Sequence, residues 1–220
     1  MQREIITTAD GSKTIRIKDW DEQYHSKHGA IQESYHVFIK HGLDLFKKQD
    51  LYILEIGFGT GLNALITLLE ATKLSKKIMY YGVEAYPVSA EEVTQLNYVS
   101  ELNAPYFKKH FENMHSAPWH TEVTISDGFT LHKNQCKFAE ITYKDCIDLI
   151  YFDAFGARIQ PELWTEDMFK IMFKALKKGG ILVTYAAKGS VRRAMQSVGF
   201  KVERLPGPPG KREMLRARKD

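Results

Sequence analysis

The stretch Leu51-Tyr-Ile-Leu-Glu-Ile-Gly-Phe-Gly-Thr-Gly-Leu62 constrains this chain more than any other. Its first half, Leu51 to Ile56, is a short apolar run with a tyrosine and β-branched isoleucines, the pattern of a buried strand in a parallel sheet. Gly57, Gly59 and Gly61 follow, and Leu62 to Ala71 then carries apolar residues at helical spacing. Glycines let the backbone bend sharply and let a ligand approach the main chain at the electropositive start of the new helix. Strand, glycine turn and helix in that order make either a nucleotide site or a plain βα connection. The residues that follow discriminate between them.

Two common nucleotide loops are excluded. The dinucleotide fingerprint Gly-x-Gly-x-x-Gly needs glycine where Leu62 stands, and the phosphate-cradling loop needs a lysine that does not follow Gly61. What remains, Glu55-Ile-Gly57-Phe58-Gly59-Thr60-Gly61, resembles the first motif of S-adenosylmethionine (SAM) methyltransferases. There the loop approaches an amino acid and a ribose instead of a pyrophosphate.

A second strand, Ile78 to Val83, ends in Glu84, 23 residues past Gly61. An acid at roughly 20 residues' distance accepts hydrogen bonds from ribose hydroxyls in a nucleotide-binding βαβ unit, and the spacing favours that role over a chance strand-end acid. Glu122 to Ser126 is expected as the third strand, followed by Asp127-Gly128. That aspartate reads as a contact to the adenine amino group of SAM or as an ordinary turn residue. A fourth strand, Ile147 to Phe152, hands Asp153-Ala154-Phe155-Gly156 to the carboxyl edge of the sheet, where ligands of open α/β sheets gather. Helices are expected over Gln32–Lys48, Pro87–Tyr98, Pro161–Lys178 and Ser190–Val198, and further strands over Ile181–Tyr185, Phe200–Leu205 and Glu213–Ala217. At the start of the first helix, Glu33-Ser34 is open between a helix cap and a ligand contact. Ahead of it, Ile5 to Ile17 reads as a hairpin around a two-residue Asp10-Gly11 turn. The expected fold is α/β: a Rossmann-like SAM-dependent methyltransferase domain over 31–220, with a mostly parallel seven-stranded sheet and an antiparallel last strand. A small β-hairpin appendage and connector, 1–30, precede it.

At 220 residues the chain is long enough for one sizeable core. No apolar run approaches the roughly 18 residues of a membrane span, and Met1-Gln-Arg-Glu has no signal-peptide form, so no membrane and a cytoplasmic location are expected. Cys136 and Cys146 lack CxxC spacing and are expected as reduced thiols. His25/His28 and His110/His115/His120 lack a supporting set at ligand spacing, and no metal is expected. The formal charge of +4 is compatible with an acidic partner without requiring one.

Taken in order, the chain carries Glu33-Ser34, the Glu55–Gly61 loop, Glu84, Asp127 and Asp153-Ala-Phe155 with Pro161-Glu-Leu-Trp164. Its tail is Gly189-Ser-Val-Arg-Arg193, Gly199-Phe200 and Lys211-Arg-Glu-Met-Leu215. This series resembles the methyltransferases of the bacterial wobble-uridine pathway, the MnmC N-terminal domain and its standalone MnmD form. The resemblance runs from about Trp20 to Leu215, and the tail is its most specific part. It implies conversion of 5-aminomethyl-2-thiouridine at the tRNA wobble position to 5-methylaminomethyl-2-thiouridine, with SAM as donor and tRNA as partner. A separate upstream enzyme would supply the amine. In two-domain relatives a flavin-dependent oxidoreductase follows. None is present in this sequence, so methyl transfer alone is expected. Ala154 departs from the glycine that many relatives carry there, a small change that leaves Asp153 in place.

Methyl transfer from a sulfonium to a primary amine is an in-line displacement by the neutral amine, in which positioning supplies much of the rate. Asp153 is the candidate to orient the amine and accept or relay its proton, although its charge also favours the unreactive ammonium. Phe155 is the candidate to pack against the uracil ring or the donor methyl region. The plainer alternatives are a strand-end carboxylate and a core aromatic. Cofactor contacts are expected from Glu33, Ser34, Glu55, Gly57–Gly61, Glu84, Asp127, Gly128 and Asp153. Lys188, Arg192, Arg193, Lys211 and Arg212 form either a basic face for phosphates around the anticodon or solvated surface. Two other functions stay open: a SAM enzyme acting on a small amine, and a silent RNA-binding relative. The intact acids Glu55, Glu84, Asp127 and Asp153 argue against the second.

Overall fold

The computed structural model describes residues 2–220. Within them the strands are β1 Arg3–Thr7, β2 Lys13–Ile17, β3 Glu22–Gln23, β4 Asp50–Ile56, β5 Lys77–Val83, β6 Glu122–Ser126, β7 Phe129–Asn134, β8 Ile147–Phe152, β9 Leu176–Thr184, β10 Lys201–Pro206 and β11 Glu213–Arg218. The α-helices are α1 Ala30–Ser34, α2 Leu62–Lys73, α3 Ala90–Thr94, α4 Tyr98–Glu101, α5 Lys108–Ser116, α6 Glu166–Ala175 and α7 Gly189–Ser197.

Alternation along β4 sets the layers. Leu51 and Ile53 point into one hydrophobic cluster, and Leu54 and Ile56 into another. A strand that is apolar on both faces needs cover on both. One side is covered by α2 and α5, through Leu62, Leu65, Phe111 and Met114; the other by α6 and α7, through Phe169, Met172 and Met195. Strands β4, β5, β7, β8 and β9 run parallel, so their carboxyl ends share one edge.

The large sheet has eight strands, in the order β10-β11-β9-β8-β4-β5-β7-β6, one more than expected. β11 runs antiparallel to β9, as anticipated for the last strand. The additional strand is β7, for which no strand is expected from sequence; β6, expected as a parallel strand, pairs antiparallel with it. Asp127-Gly128 is the turn between them and not the exit of a parallel strand. Gly128 takes φ +87°, the left-handed conformation that a tight hairpin turn demands. The third parallel strand is therefore β7.

Three helices differ from expectation. The helix opened by α1 continues only through a π-helical turn, Tyr35–Lys40. At Gly42 the backbone packs so closely on Phe38 that a Cβ would lie 2.4 Å from the Phe38 carbonyl oxygen. The expected helix over Pro161–Lys178 divides into a 3₁₀ turn, Pro161–Trp164, and α6, whose N-cap Thr165 accepts the Met168 N–H at 3.4 Å. Leu176 then turns extended, and Lys177–Gly180 belong to β9, because burying Leu176 beside Ile147 carries the chain into the sheet. The expected helix over Pro87–Tyr98 is replaced by α3 and α4, with Ser89 and Glu92 closing a capping box at the start of α3.

The small sheet β1-β2-β3 is docked against the main body. Its hairpin loop has five residues, with Thr7 facing Lys13, and Asp10 Oδ1 accepts from Thr8 Oγ1 at 2.7 Å and from the Ser12 N–H at 3.2 Å. Ile15 and Ile17 are buried. The Lys13 N–H donates to Asn97 Oδ1 at 2.7 Å, and Arg3 donates to the Tyr86 carbonyl at 3.0 Å and to Glu92 at 3.1 Å. Among the described residues no helix is long and apolar enough to cross a membrane.

At the amino edge, the buried Asp148 of β8 ties three strands together. It accepts from the Tyr52 N–H of β4 at 3.0 Å, from Lys48 at 2.6 Å and from Lys177 of β9 at 3.2 Å. Replacing Asp148 with alanine strands these donors and should cost about 2–4 kcal/mol in urea unfolding. The opposite edge of the sheet should be unaffected. A cost below about 0.5 kcal/mol would show that solvent already satisfies the lysines.

Candidate active site

A cavity of about 700 Å³ opens at the carboxyl edge. Gly57 after β4, Glu84 after β5, Asp153 after β8 and Tyr185 after β9 all reach it. Glu33 of α1, Lys211 from the β10–β11 loop, and Trp20, Tyr24 and His25 from the N-terminal segment complete its wall.

The glycine turn forms its floor. Gly57 takes φ +91°, and a Cβ there would sit 2.9 Å from the Asp153 carbonyl oxygen, so the ends of β4 and β8 can converge only on glycine. Gly59 donates its N–H to Glu84 Oε2 at 3.0 Å, while Glu84 Oε1 accepts from the Tyr86 N–H at 2.9 Å. Gly57 and Gly59 line the cavity; the other turn residues support it. Phe58 turns into the core beside His115, with ring centroids 5.9 Å apart. Buried Thr60 shares its hydroxyl between His25 Nε2 at 2.7 Å and Tyr98 Oη at 3.0 Å, which fastens the N-terminal segment to the turn. Gly61, with φ +73°, leads into α2.

Below the floor Glu55 is fully buried, accepting from Asn63 Nδ2 and from the Tyr80 hydroxyl, each at 2.9 Å. Burial pushes its carboxyl well above the usual range. Asn63 also donates to Asp153 Oδ2 at 2.8 Å and accepts from the Ser34 hydroxyl at 2.6 Å. Ser34 thus supports the site through Asn63, and α1 is capped by Gly29 instead. Glu33 Oε2 accepts the Ser26 N–H at 2.9 Å, and Glu33 Oε1 pairs with Lys211, whose Nζ lies 3.8 Å from the centroid of the Tyr185 ring.

The loop that carries Asp153 is pinned at each residue. Asp153 N–H donates to Ile56 O at 3.0 Å, the Tyr185 hydroxyl to Ala154 O at 2.8 Å, and Trp164 Nε1–H to Phe155 O at 2.8 Å. Phe155 meets Trp20 and Tyr24 edge-on, with centroids 5.6 and 5.0 Å away.

Two expected placements are corrected. Asp127 and Gly128 sit at the amino end of β7, where a Cβ on Gly128 would lie 3.2 Å from the Lys76 carbonyl oxygen, on the edge opposite the glycine turn. The adenine contact assigned to them is ruled out by the hairpin. The segment after the carboxyl end of β7 reaches the cavity instead, through Lys137, Phe138 and Ala139. Second, the five basic residues do not form one surface. Lys211 is inside the cavity and paired, Arg192 is partly buried, and Lys188, Arg193 and Arg212 are exposed outside it.

Asn63, Tyr185 and the aromatic N-terminal wall were missed from sequence. The available signals were a polar residue in the first turn of an otherwise apolar helix and an unusual density of rings between Trp20 and Gly29. Among the described residues, no group of three or more His, Cys, Asp or Glu is placed to hold a metal ion. The donor set does fit SAM: a glycine floor that a Cβ would obstruct, carboxylates for hydroxyls and for positive charge, and an aromatic wall.

Burial and the nearby Glu33 push Asp153 up to about 7, against the Asn63 hydrogen bond and the Lys211 charge. The folded chain therefore holds a proton between pH 3.8 and about 7 that the unfolded chain releases. Stability falls as pH rises through that window and is lowest above it. Asp153→Asn removes this linkage. Its unfolding free energy should exceed that of the wild type by on the order of 2–4 kcal/mol at pH 8 and converge with it below pH 4. Urea titrations at both pH values read the difference; an equal gap at both would refute the linkage.

Residues 109–220, just over half of the chain, match a family model described as S-adenosyl-L-methionine-dependent methyltransferase. The bifunctional protein MnmC of tRNA 5-methylaminomethyl-2-thiouridine biosynthesis from Leptospira interrogans is 32% identical over 213 residues, covering 90% of this chain and 32% of that protein. The same-named protein of Actinobacillus pleuropneumoniae is 28% identical over 233 residues, covering 94% and 34%. This chain spans about a third of the length of these curated relatives. The crystal structure of MNMC2 from Aquifex aeolicus superposes with a TM-score of 0.80 at 25% identity, covering 100% of this chain and 70% of that one. A spermidine synthase structure with a transition-state analogue reaches 0.59 at 14% identity over 99% and 73%, a likeness of fold alone. With the glycine turn, the acid after β5 and the carboxyl-edge cavity already in place, the family match is decisive: the chain belongs to the S-adenosyl-L-methionine-dependent methyltransferases.

Proposed function

We propose that this chain transfers a methyl group from SAM to the primary amine of 5-aminomethyl-(2-thio)uridine at the tRNA wobble position, giving 5-methylaminomethyl-(2-thio)uridine. The observation that carries this reading is Asp153, a carboxyl group on the cavity wall, pushed up to about 7 and adjoining the glycine floor. The MnmC names of relatives covering about nine-tenths of the chain support the choice of nucleoside.

SAM supplies an electrophilic methyl carbon on a sulfonium; the remaining work falls to the chain. Glu84, held by the Gly59 and Tyr86 amides, takes the ribose hydroxyls. Glu33 and Lys211, an oppositely charged pair, match the ammonium and carboxylate of the amino-acid end. Lys137, Phe138 and Ala139, which line the cavity, would border the adenine. Asp153 would accept a hydrogen bond from the acceptor amine, aim its lone pair at the methyl carbon, and take the proton that nitrogen loses as the C–N bond forms and the methyl C–S bond of the sulfonium breaks, leaving a neutral thioether. Phe155, Trp20 and Tyr24 offer ring faces and edges to the uracil. Lys188, Arg193 and Arg212 are exposed outside the cavity, where phosphates could reach them. In this reading 31–220 carry the transfer, the segment from Trp20 to His28 walls the acceptor side, the reaction takes place in the cytoplasm without a metal, and another enzyme supplies the aminomethyl group.

The test is mass spectrometry of nucleosides from tRNA bearing 5-aminomethyl-2-thiouridine, incubated with the protein and SAM. One methyl should be gained on that nucleoside, and only with SAM present. Asp153→Ala should lower the rate by on the order of 100-fold or more while tRNA retention on filters persists. No methyl gained by a preparation that binds SAM would transfer the reading to a small-molecule amine.

A further inference from the structure

We propose that Asn63 is a positioning residue for this methyl transfer: its amide ties down Asp153 Oδ2 and leaves Oδ1 to the acceptor nitrogen. The inference rests on the reading of Asp153 as the group that meets the amine.

Asn63 stands in the first turn of α2 and is almost wholly buried. Its hydrogen bonds allow one orientation. The Ser34 hydroxyl donates to Oδ1 at 2.6 Å, while Nδ2 donates to Glu55 Oε1 at 2.9 Å and to Asp153 Oδ2 at 2.8 Å. Flipping the amide would turn its oxygen toward two carboxyl groups and its N–H groups toward a hydroxyl. Four elements thereby meet at one side chain: α1, β4, α2 and the exit of β8.

Asp153 needs such a fixture. Its backbone is pinned, but its carboxyl can still rotate, and among the described residues Asn63 is its one side-chain hydrogen-bond donor. The titratable and charged groups around it are Glu33 from α1, Glu55 from β4, Tyr80 from β5, Tyr185 after β9 and Lys211 from the final hairpin. Glu33 repels an ionised Asp153, and Lys211 is already engaged with Glu33. The Asn63 N–H thus favours the ionised form, as the Lys211 charge also does, and is the contact that fixes its direction. Asn63 is not among the cavity-lining residues, and of its three side-chain partners only Asp153 lines the cavity.

Two measurements test this. The first follows the side-chain carboxyl NMR resonance of Asp153 through a pH titration of the free protein, with no substrate involved. In Asn63→Ala the midpoint should rise by about one pH unit or more. The second is the pH profile of kcat on aminomethyl-uridine tRNA. At pH 7, kcat should fall on the order of 10- to 100-fold, KM for tRNA should stay within about threefold, and part of the loss should return at higher pH. A folded Asn63→Ala protein with the wild-type midpoint overturns the proposal. Should that variant fail to fold, Ser34→Ala decides. It removes only the lock on the amide and should raise the midpoint in the same direction, and no rise refutes the clamp. A wild-type protein that titrates as described but leaves the tRNA unmethylated would sink the proposed function and not the clamp.

Discussion

Buried carboxyl groups are the constraint around which this fold closes. Glu33, Glu55 and Glu84 are less than a tenth exposed, and Asp153 shares their space. An unpaired charge in such a place costs several kcal/mol, so each acid must be given donors. Glu55 receives Asn63 and Tyr80, Glu84 receives two backbone amides, and Glu33 receives an amide and Lys211. These donors come from the glycine turn, α2, β5, the N-terminal segment and the last hairpin. Satisfying the acids and assembling the cavity are therefore one event.

The same logic explains why the segment from Trp20 to His28 is part of the site. His25 and Tyr98 converge on Thr60 of the glycine turn, and Ser26 holds Glu33. Burial pushes His25 down to about 4, so the imidazole stays neutral near pH 7 and its bond to Thr60 adds no charge to the cavity. Beyond it, Arg158 reaches Glu22 at 3.2 Å, linking the loop after β8 to β3. The aromatic wall of the cavity is thus held from both ends.

Much of this was legible in sequence, for identifiable reasons. Leu51–Ile56 and Ile147–Phe152 are apolar on both faces, and only a central parallel strand answers that pattern. Asp153 and Glu84 were found because the end of a parallel strand fixes where the next residue goes. The same rule misplaces Asp127, because Glu122–Ser126 runs antiparallel and its end lies at the other edge. The β-rich runs on both sides of Asp127-Gly128 carried the hairpin signal, and it outweighed the expected strand order. Lys211 was grouped with surface arginines because a sequence shows its charge but not Glu33, which lies 178 residues earlier in the chain. Asn63 is hard to single out because its neighbours define an ordinary apolar helix, and two of its three side-chain partners, Ser34 and Asp153, lie 29 and 90 residues away.

The arrangement also answers a conflict within the proposed chemistry. A permanently ionised carboxylate would hold the acceptor as an ammonium with no lone pair to give, and a permanently protonated one could not take up the proton that nitrogen loses. Burial and Glu33 push Asp153 toward the neutral form; Asn63 and Lys211 pull it back. The opposing influences leave it near neutrality, where either form is accessible at small cost. A positively charged ligand on the adjoining floor would favour ionisation further, so occupation of the donor site would itself prepare the base. The acids that make the empty cavity costly are, on this account, what couples donor binding to deprotonation of the acceptor.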